Sequence, residues 1–197
     1  VFDIRFQARD KSLKYVWQTS WGMSTRVIGG VIMAHGDDSG LILPPRIAPY
    51  QVVVVPISRG NWREDVLPRA REVQAELVRQ GIRTTLDERD AYTPGWKFAE
   101  WELRGVPLRL EIGPKDIEKA QVLLVRRDTR EKLPTPVDGL GHRVQQLLDL
   151  IQQALFERAR RFRDEHTGRT SSRDDFVRIM EGRPGFLIAP WCGNREC

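Results

Sequence analysis

Gln51-Val52-Val53-Val54-Val55-Pro56-Ile57 is the stretch on which the fold turns. Four β-branched residues in a row leave no polar face, so the run reads as a strand buried on both sides, as in parallel sheets. Working downstream, Asn61 or Asp65 can cap a helix with Val66, Ala70, Val73 and Leu77 on one apolar face. Pro68 favours the later start, because proline is tolerated only in a first turn. Gln80-Gly81 closes that helix, and Ile82 to Leu86 is a short strand. The polar loop Asp87 to Gly95 leads to a short helix marked by Trp96, Ala99, Glu100 and Leu103, which stops at Gly105. Val106 to Ile112 alternates as a strand, and Gly113-Pro114-Lys115-Asp116 opens a helical turn. Gln121 to Arg126 is again a strand, and Lys132-Leu133-Pro134 adds an edge. Strands alternating with helices over roughly ninety residues imply an α/β unit, a mostly parallel sheet covered by helices.

Upstream, Phe2, Ile4 and Phe6 alternate with Asp3, Arg5 and Gln7, and Tyr15, Trp17 and Thr19 with Val16, Gln18 and Ser20. Two antiparallel strands joined through Ala8 to Ser12 fit this pattern. Ser20-Trp21-Gly22-Met23-Ser24-Thr25-Arg26 then passes from strand to helix. Backbone N–H groups and one guanidinium converge there, which suits a polyphosphate. The same residues also make an ordinary strand-to-helix turn with a surface arginine. Val27, Ile28, Val31 and Ile32 carry the helix, while Gly29 and Gly30 each weaken it by about 1 kcal/mol relative to alanine. His35 with Asp37-Asp38 invites a metal or acid–base reading, but a capped helix end followed by a turn is the simpler one. The prolines at 44, 45 and 49 suggest a stiff, extended linker. The expected units are therefore 1–49, 50–137 and 138–197.

The third unit is helical. Leu140, Val144, Leu147, Leu148, Ile151, Leu155, Ala159 and Phe162 form one long amphipathic stripe. Ser172, with Asp175 three residues on, caps a second helix that Gly182 stops. Arg158, Arg160, Arg161 and Arg163 read as a solvated helix face. Cys192 and Cys197 have a spacing that fits half of a tetrahedral zinc site, or two surface thiols.

The 197 residues are 40% hydrophobic and 30% charged, enough for a real core, with a net charge of +5. That excess is compatible with a nucleic-acid partner and too mild to prove one. No apolar run approaches the ~20 residues that span a bilayer, and no signal peptide opens the chain. Two cysteines do not suggest a secreted disulfide scaffold, so a cytoplasmic protein without a membrane partner is the expectation. Beginning on Val1 inside a strand-like run and ending on Cys197, the chain reads as a piece of a longer polypeptide. No Ser/His/Asp triad and no phosphate-cradling glycine loop is present.

The order of these elements resembles prolyl-tRNA synthetase of the archaeal/eukaryote-like type, over essentially the whole chain. Ser20 to Arg26 matches that family's motif 3, and His35 to Leu41 with Pro44 to Pro49 matches its exit into the anticodon domain. Pro94-Gly95-Trp96-Lys97-Phe98, Trp101-Glu102-Leu103-Arg104-Gly105-Val106-Pro107 and Gly113-Pro114-Lys115-Asp116 match its anticodon-domain signature. Threonyl-, histidyl- and glycyl-tRNA synthetases have related anticodon domains but lack this combination. The resemblance implies the end of a class II antiparallel-sheet catalytic domain, then a mixed or mostly parallel five-stranded anticodon-binding domain, then the start of a zinc-binding C-terminal domain.

It also implies a chemistry. Arg26 falls on the arginine that contacts the terminal phosphates of ATP, which suits a fork always charged at neutral pH. Ser24 falls on a nucleotide-bonding position, and Ser20, Trp21 and Gly22 on the edge and floor of the proline pocket. Trp21 as core packing and Ser24 as a helix cap remain alternatives. In the anticodon unit, Arg89, Lys97 and Lys115 are candidates for phosphate or guanine edges, and Glu100 and Glu102 for guanine N–H groups. Tyr92 and Trp96 offer a stacking face, worth about 1–3 kcal/mol per base when used. Trp96 and Glu100 as plain helix-face residues are the other reading. The partners implied are ATP with Mg2+, proline, tRNA(Pro), a second copy in a homodimer, and Zn2+ at Cys192, Cys197 and two later cysteines. The expected reaction is proline–tRNA ligation, by attack of the proline carboxylate on the α-phosphate. The family's motif 1 and motif 2 are not in this chain, so a non-catalytic tRNA-binding piece or an accessory paralogue is the rival expectation.

Overall fold

The computed structural model describes residues 3–57, 60–182 and 185–191. They fall into two compact units, Val1–Gly30 and Val31–Cys197. The expected boundaries at 49/50 and 137/138 do not coincide with that division.

The first unit is a hairpin of β1 (Arg5–Gln7) and β2 (Leu13–Tyr15), with Arg5 opposite Tyr15. The Ala8 N–H donates to the Ser12 carbonyl. That turn sets Gln7 against Leu13, so the second strand runs earlier than the Tyr15–Thr19 alternation suggests. Helix α1 (Arg26–His35) starts at Arg26, where the Ser24 and Thr25 carbonyls accept from Val27 and Ile28 N–H. No described residue from 3 to 30 is buried.

In the second unit the valines form β3 (Val52–Pro56), every residue of which is buried. Next come α2 (Trp62–Asp65), α3 (Leu67–Arg79), β4 (Thr84–Leu86) and α4 (Pro94–Leu103). Pro68 sits in the first turn of α3, and this separates α3 from α2. β5 (Leu108–Ile112), α5 (Pro114–Glu118), β6 (Gln121–Arg126) and β7 (Lys132–Pro136) follow. The sheet order is β4-β3-β5-β6-β7. β3 is parallel to both neighbours, whereas β5–β6 and β6–β7 are antiparallel, so the sheet is mixed. Pro134 and Pro136 lie on the edge strand, where a missing N–H is tolerated.

Alternation along β3 divides the core. Val52 and Val54 pack with Val66, Ala70, Val73 and Leu77 of the α3 segment, and with α6 (Leu140–Glu165) through Leu140, Val144, Leu147, Leu148, Ile151 and Leu155. Val53 and Val55 face α4, meeting Trp101 and Val106. Beyond α6, β8 (Thr167–Arg169), α7 (Arg173–Gly182) and β9 (Phe186–Ile188) add a small parallel pair. The Ser172 hydroxyl caps α7 by accepting from Asp175 N–H. No described helix is long and apolar enough to cross a membrane.

The proline-rich stretch is not an extended spacer. Leu41 N–H donates to the Leu103 carbonyl and Leu43 N–H to the Gly105 carbonyl, which fastens this strand-like segment to the end of α4. Gly40 and Gly105 have φ of 127° and 73°. A Cβ on Gly40 would lie 2.5 Å from Leu103 Cα, and one on Gly105 2.6 Å from Leu41 Cβ. Arg83 then donates to the Ala48 and Pro45 carbonyls at 3.0 and 2.7 Å. Asp37 is tied to Arg127 by two bonds of 2.6 and 2.9 Å, so the structural reading of the Asp37-Asp38 turn holds. Those bonds bring the Asp37 carboxyl down to about 2.

Candidate nucleic-acid interface

β3, β4 and β5 are mutually parallel, so the segments that follow them emerge at one edge of the sheet. From β3 the chain crosses to β4 on one side, then returns through α4 to β5 on the other. Such a reversal leaves a crevice at the carboxyl ends of the strands, the usual ligand position in open α/β sheets.

Asp87 occupies that edge, immediately after β4, with its N–H bonded to the Val54 carbonyl. Its side chain is fully enclosed. Oδ1 accepts from Arg89 Nε at 2.9 Å, and Oδ2 accepts from Arg89 Nη2 at 2.7 Å and Trp101 Nε1 at 2.8 Å. Burial pushes the Asp87 carboxyl up, but the bonds from Arg89 and Trp101 outweigh it and hold the group at about 2. Arg89 also donates to Glu100 Oε2 at 2.5 Å. Its charged form is strengthened by Asp87 first and Glu100 second. The Arg89 guanidinium carbon lies 5.1 and 5.3 Å from the Tyr92 and Trp96 ring centres. Those two rings stack at 3.8 Å, inclined by 12°. Arg63–Asp90 and Arg71–Glu88 ion pairs bind the same loop to α2 and α3.

An arginine held between two carboxylates beside an exposed aromatic stack is an arrangement suited to splayed bases. Two comparisons bear on it. Residues 51–147 match the family model described as "Anticodon binding domain". Over its whole length the chain is 51% identical to a proline–tRNA ligase of Natranaerobius thermophilus, covering 41% of that relative. Along its whole length the chain is thus similar to proline–tRNA ligases. A "Proline--tRNA ligase 2" of Clostridioides difficile is 48% identical and the ligase of Acetoanaerobium sticklandii 50%, with all of this chain and 40% of each relative covered. The chain thus spans about two fifths of the length of the curated relatives it matches.

The expected site residues separate in this structure. Arg89 and Glu100 meet directly, at the stack. Both Glu100 oxygens are engaged, the second by Arg104 at 2.5 Å. Lys97 is corrected: it is wholly buried and donates to the Asp87 carbonyl at 3.1 Å, with its ammonium 5.8 Å from the Trp62 ring. It is not placed to touch a phosphate, and burial lowers its pKa against the opposing pull of Asp87. The helix therefore turns Lys97 and Trp101 inward and leaves Trp96 and Leu103 exposed, unlike the pattern of Trp96, Ala99 and Leu103. Glu102 is bonded to Arg109 at 2.8 Å, and Arg109 also bonds Glu111 at 2.9 Å under the Phe98 ring. Lys115 is exposed in the first turn of α5, with no ion pair among the described residues. The Asp116 carboxylate closes that turn by accepting from Gly113 N–H.

In the first unit, Arg26 is the first residue of α1, and Ser20, Trp21, Gly22 and Ser24 precede it in irregular chain. Trp21 is exposed rather than packed in a core. Cys192 and Cys197 lie outside the described residues. Among the described residues no group of three or more His, Cys, Asp or Glu is placed to hold a metal. A groove of about 570 Å³ between α3 and the start of α6 holds none of the expected site residues. Sequence reasoning missed the central part of Asp87. The available signal was an aspartate ending a strand, two residues before an arginine.

Proposed function

We propose that this chain is the motif 3 and anticodon-reading portion of a proline–tRNA ligase of the archaeal/eukaryote-like type. The whole protein activates proline with ATP to prolyl-adenylate and transfers it to tRNA(Pro), acting as a homodimer in the cytoplasm. What carries the reading is identity of about one half along the entire chain to proline–tRNA ligases, together with an Arg89–Glu100 pair beside an aromatic stack within the anticodon-binding match. Residues 1–49 supply the motif 3 wall, 50–137 the anticodon-binding domain, and 138–197 the start of the zinc-binding domain.

In this reading Arg26 neutralises the terminal phosphates while the proline carboxylate attacks the α-phosphate in line, and Ser24 bonds the nucleotide. Ser20, Trp21 and Gly22 bound the proline ring. Magnesium, when bound, adds charge neutralisation on the phosphates. Cys192 and Cys197 supply two thiolates of a zinc site. Arg89 and Lys115 meet the anticodon loop, and Tyr92 with Trp96 stacks on a base.

Proline-dependent ATP–pyrophosphate exchange by the full-length protein carrying this chain tests the ligase reading. Exchange with proline that falls at least tenfold on Arg26→Ala is expected. Absence of exchange from the intact protein would leave the non-catalytic tRNA-binding alternative.

A further inference from the structure

We propose that Arg127 is a positioning residue for the transfer of proline to tRNA, a buried fork that fixes the exit of α1 on the end of α4. The inference rests on the proposed ligase activity and deepens it.

Two helix C-termini are joined here, and a helix end leaves carbonyls without an intrahelical partner. α1 ends at His35, whose carbonyl accepts from Arg158 Nη2 of α6 at 3.1 Å. α4 ends at Leu103, whose carbonyl accepts from Leu41 N–H at 3.0 Å. Arg127 Nε donates to the neighbouring Glu102 carbonyl at 2.9 Å. The rest of the Arg127 guanidinium grips the Asp37 carboxylate at two points, Nη1 to Oδ2 at 2.9 Å and Nη2 to Oδ1 at 2.6 Å. The turn that carries Asp37 is itself closed. Asp37 and Gly40 exchange N–H···O bonds of 3.0 Å, and Ser39 N–H donates to Asp37 Oδ1 at 2.9 Å. Arg130 donates to the Ser39 hydroxyl, and the Arg127 N–H is held by the Pro107 carbonyl at 2.9 Å. One side chain thus ties together the turn after α1, the end of α4 and the end of β6.

The Arg127 side chain is 2% exposed and that of Asp37 38%. A pair so placed adds little net stability, because desolvation of the arginine offsets the attraction. What it supplies is geometry. A planar fork on a carboxylate sets distance and direction together, which a lysine does not. α4 is the helix whose Glu100 holds Arg89, and α1 is the helix that Arg26 begins. In the ligase reading one serves the engagement of tRNA and the other the formation of adenylate. Transfer alone needs both in register, and a displaced reactant loses rate even when each binding step is intact. Arg127 and Asp37 act on that step without touching a substrate.

The test uses the full-length protein carrying this chain and compares Arg127→Met, Asp37→Asn and their double variant. Three quantities are read: proline-dependent pyrophosphate exchange, affinity for tRNA(Pro) at one salt concentration, and single-turnover transfer of proline from preformed adenylate to tRNA. Each single variant is expected to slow transfer about tenfold, while exchange and affinity stay within about twofold of wild type. The double variant should be no slower than the slower single one, because both changes remove the same contact. Unchanged transfer overturns the proposal. So does transfer that falls only in step with exchange, which would mark a general structural loss. Slower transfer explained by weaker tRNA affinity overturns it as well, because Arg127 would then serve RNA binding. Should Arg127→Met not fold, Asp37→Asn decides from the exposed end of the pair. If neither folds, the pair is a stabilising one and the proposal is overturned. A wild-type protein without proline-dependent exchange would instead remove the ligase reading itself.

Discussion

The two faces of the five-stranded sheet hold their helices by different means. On one, Leu108, Leu110 and Ile112 of β5 join Val52 and Val54 in one apolar cluster with α3 and α6. On the other, Arg109 and Glu111 of the same strand lie buried towards α4, alongside Asp87 and Lys97. Apolar burial supplies stability in proportion to area, whereas buried ion pairs add little net stability because desolvation offsets their attraction. The polar face is also the one whose helix carries Glu100 and the Trp96 half of the stack. The larger apolar cluster and the proposed recognition site are thus divided between the faces, with β3 common to both.

Substitutions break that division in a definite order. On the apolar face, Leu77→Ala removes a fully buried side chain, and denaturant unfolding should register a loss of about 2–5 kcal/mol. On the polar face, Lys97→Met leaves the Asp87 carbonyl without its donor, but it also removes a buried charge. A smaller loss of about 1–3 kcal/mol is expected. A loss as large as that of Leu77→Ala would mean that the ions, not the apolar contacts, hold the unit together.

Acid sharpens the same comparison. Asp87 is held at about 2, below the ~3.9 of an unfolded aspartate. Its bonds therefore support the fold fully above about pH 4 and lose that support as pH falls towards 2. Asp87→Asn should flatten this part of the acid limb in thermal melts taken from pH 5 to pH 2. Exposed pairs should matter least. Arg160→Ala, which breaks contacts to Glu157 and Asp164 on the outer part of α6, should shift stability by no more than about 1 kcal/mol.

Much of the sheet was legible because its signals are local. Four valines require burial on both faces, Pro68 fixes a helix start, and Ser172 with Asp175 marks another. The inward face of α4 was not legible. Nothing within Pro94–Leu103 says that a carboxylate waits at the end of β4, and only that carboxylate makes a buried Lys97 acceptable. The 41–49 segment misled for a similar reason. Its prolines describe a stiff chain, but its docking depends on Arg83 and Gly105, far off in sequence. Of the side chains gathered beyond β4, Arg89, Glu100, Tyr92 and Trp96 were picked out by type and loop position, while Asp87 passed for an ordinary loop aspartate. Residues 3–30 read correctly as a hairpin leading to a helix, but their apolar side chains, Trp17 and Trp21 among them, lie exposed. The proline-pocket assignment there rests on resemblance rather than on packing.

In the proposed function the carboxyl edge of the sheet reads the tRNA(Pro) anticodon. The most direct test of that reading is the affinity of the full-length protein carrying this chain for tRNA(Pro), measured at one salt concentration beside a transcript with both anticodon guanines replaced. A drop of at least tenfold on replacement, abolished by Arg89→Lys, is the predicted result. Equal affinity for the two transcripts would contradict it.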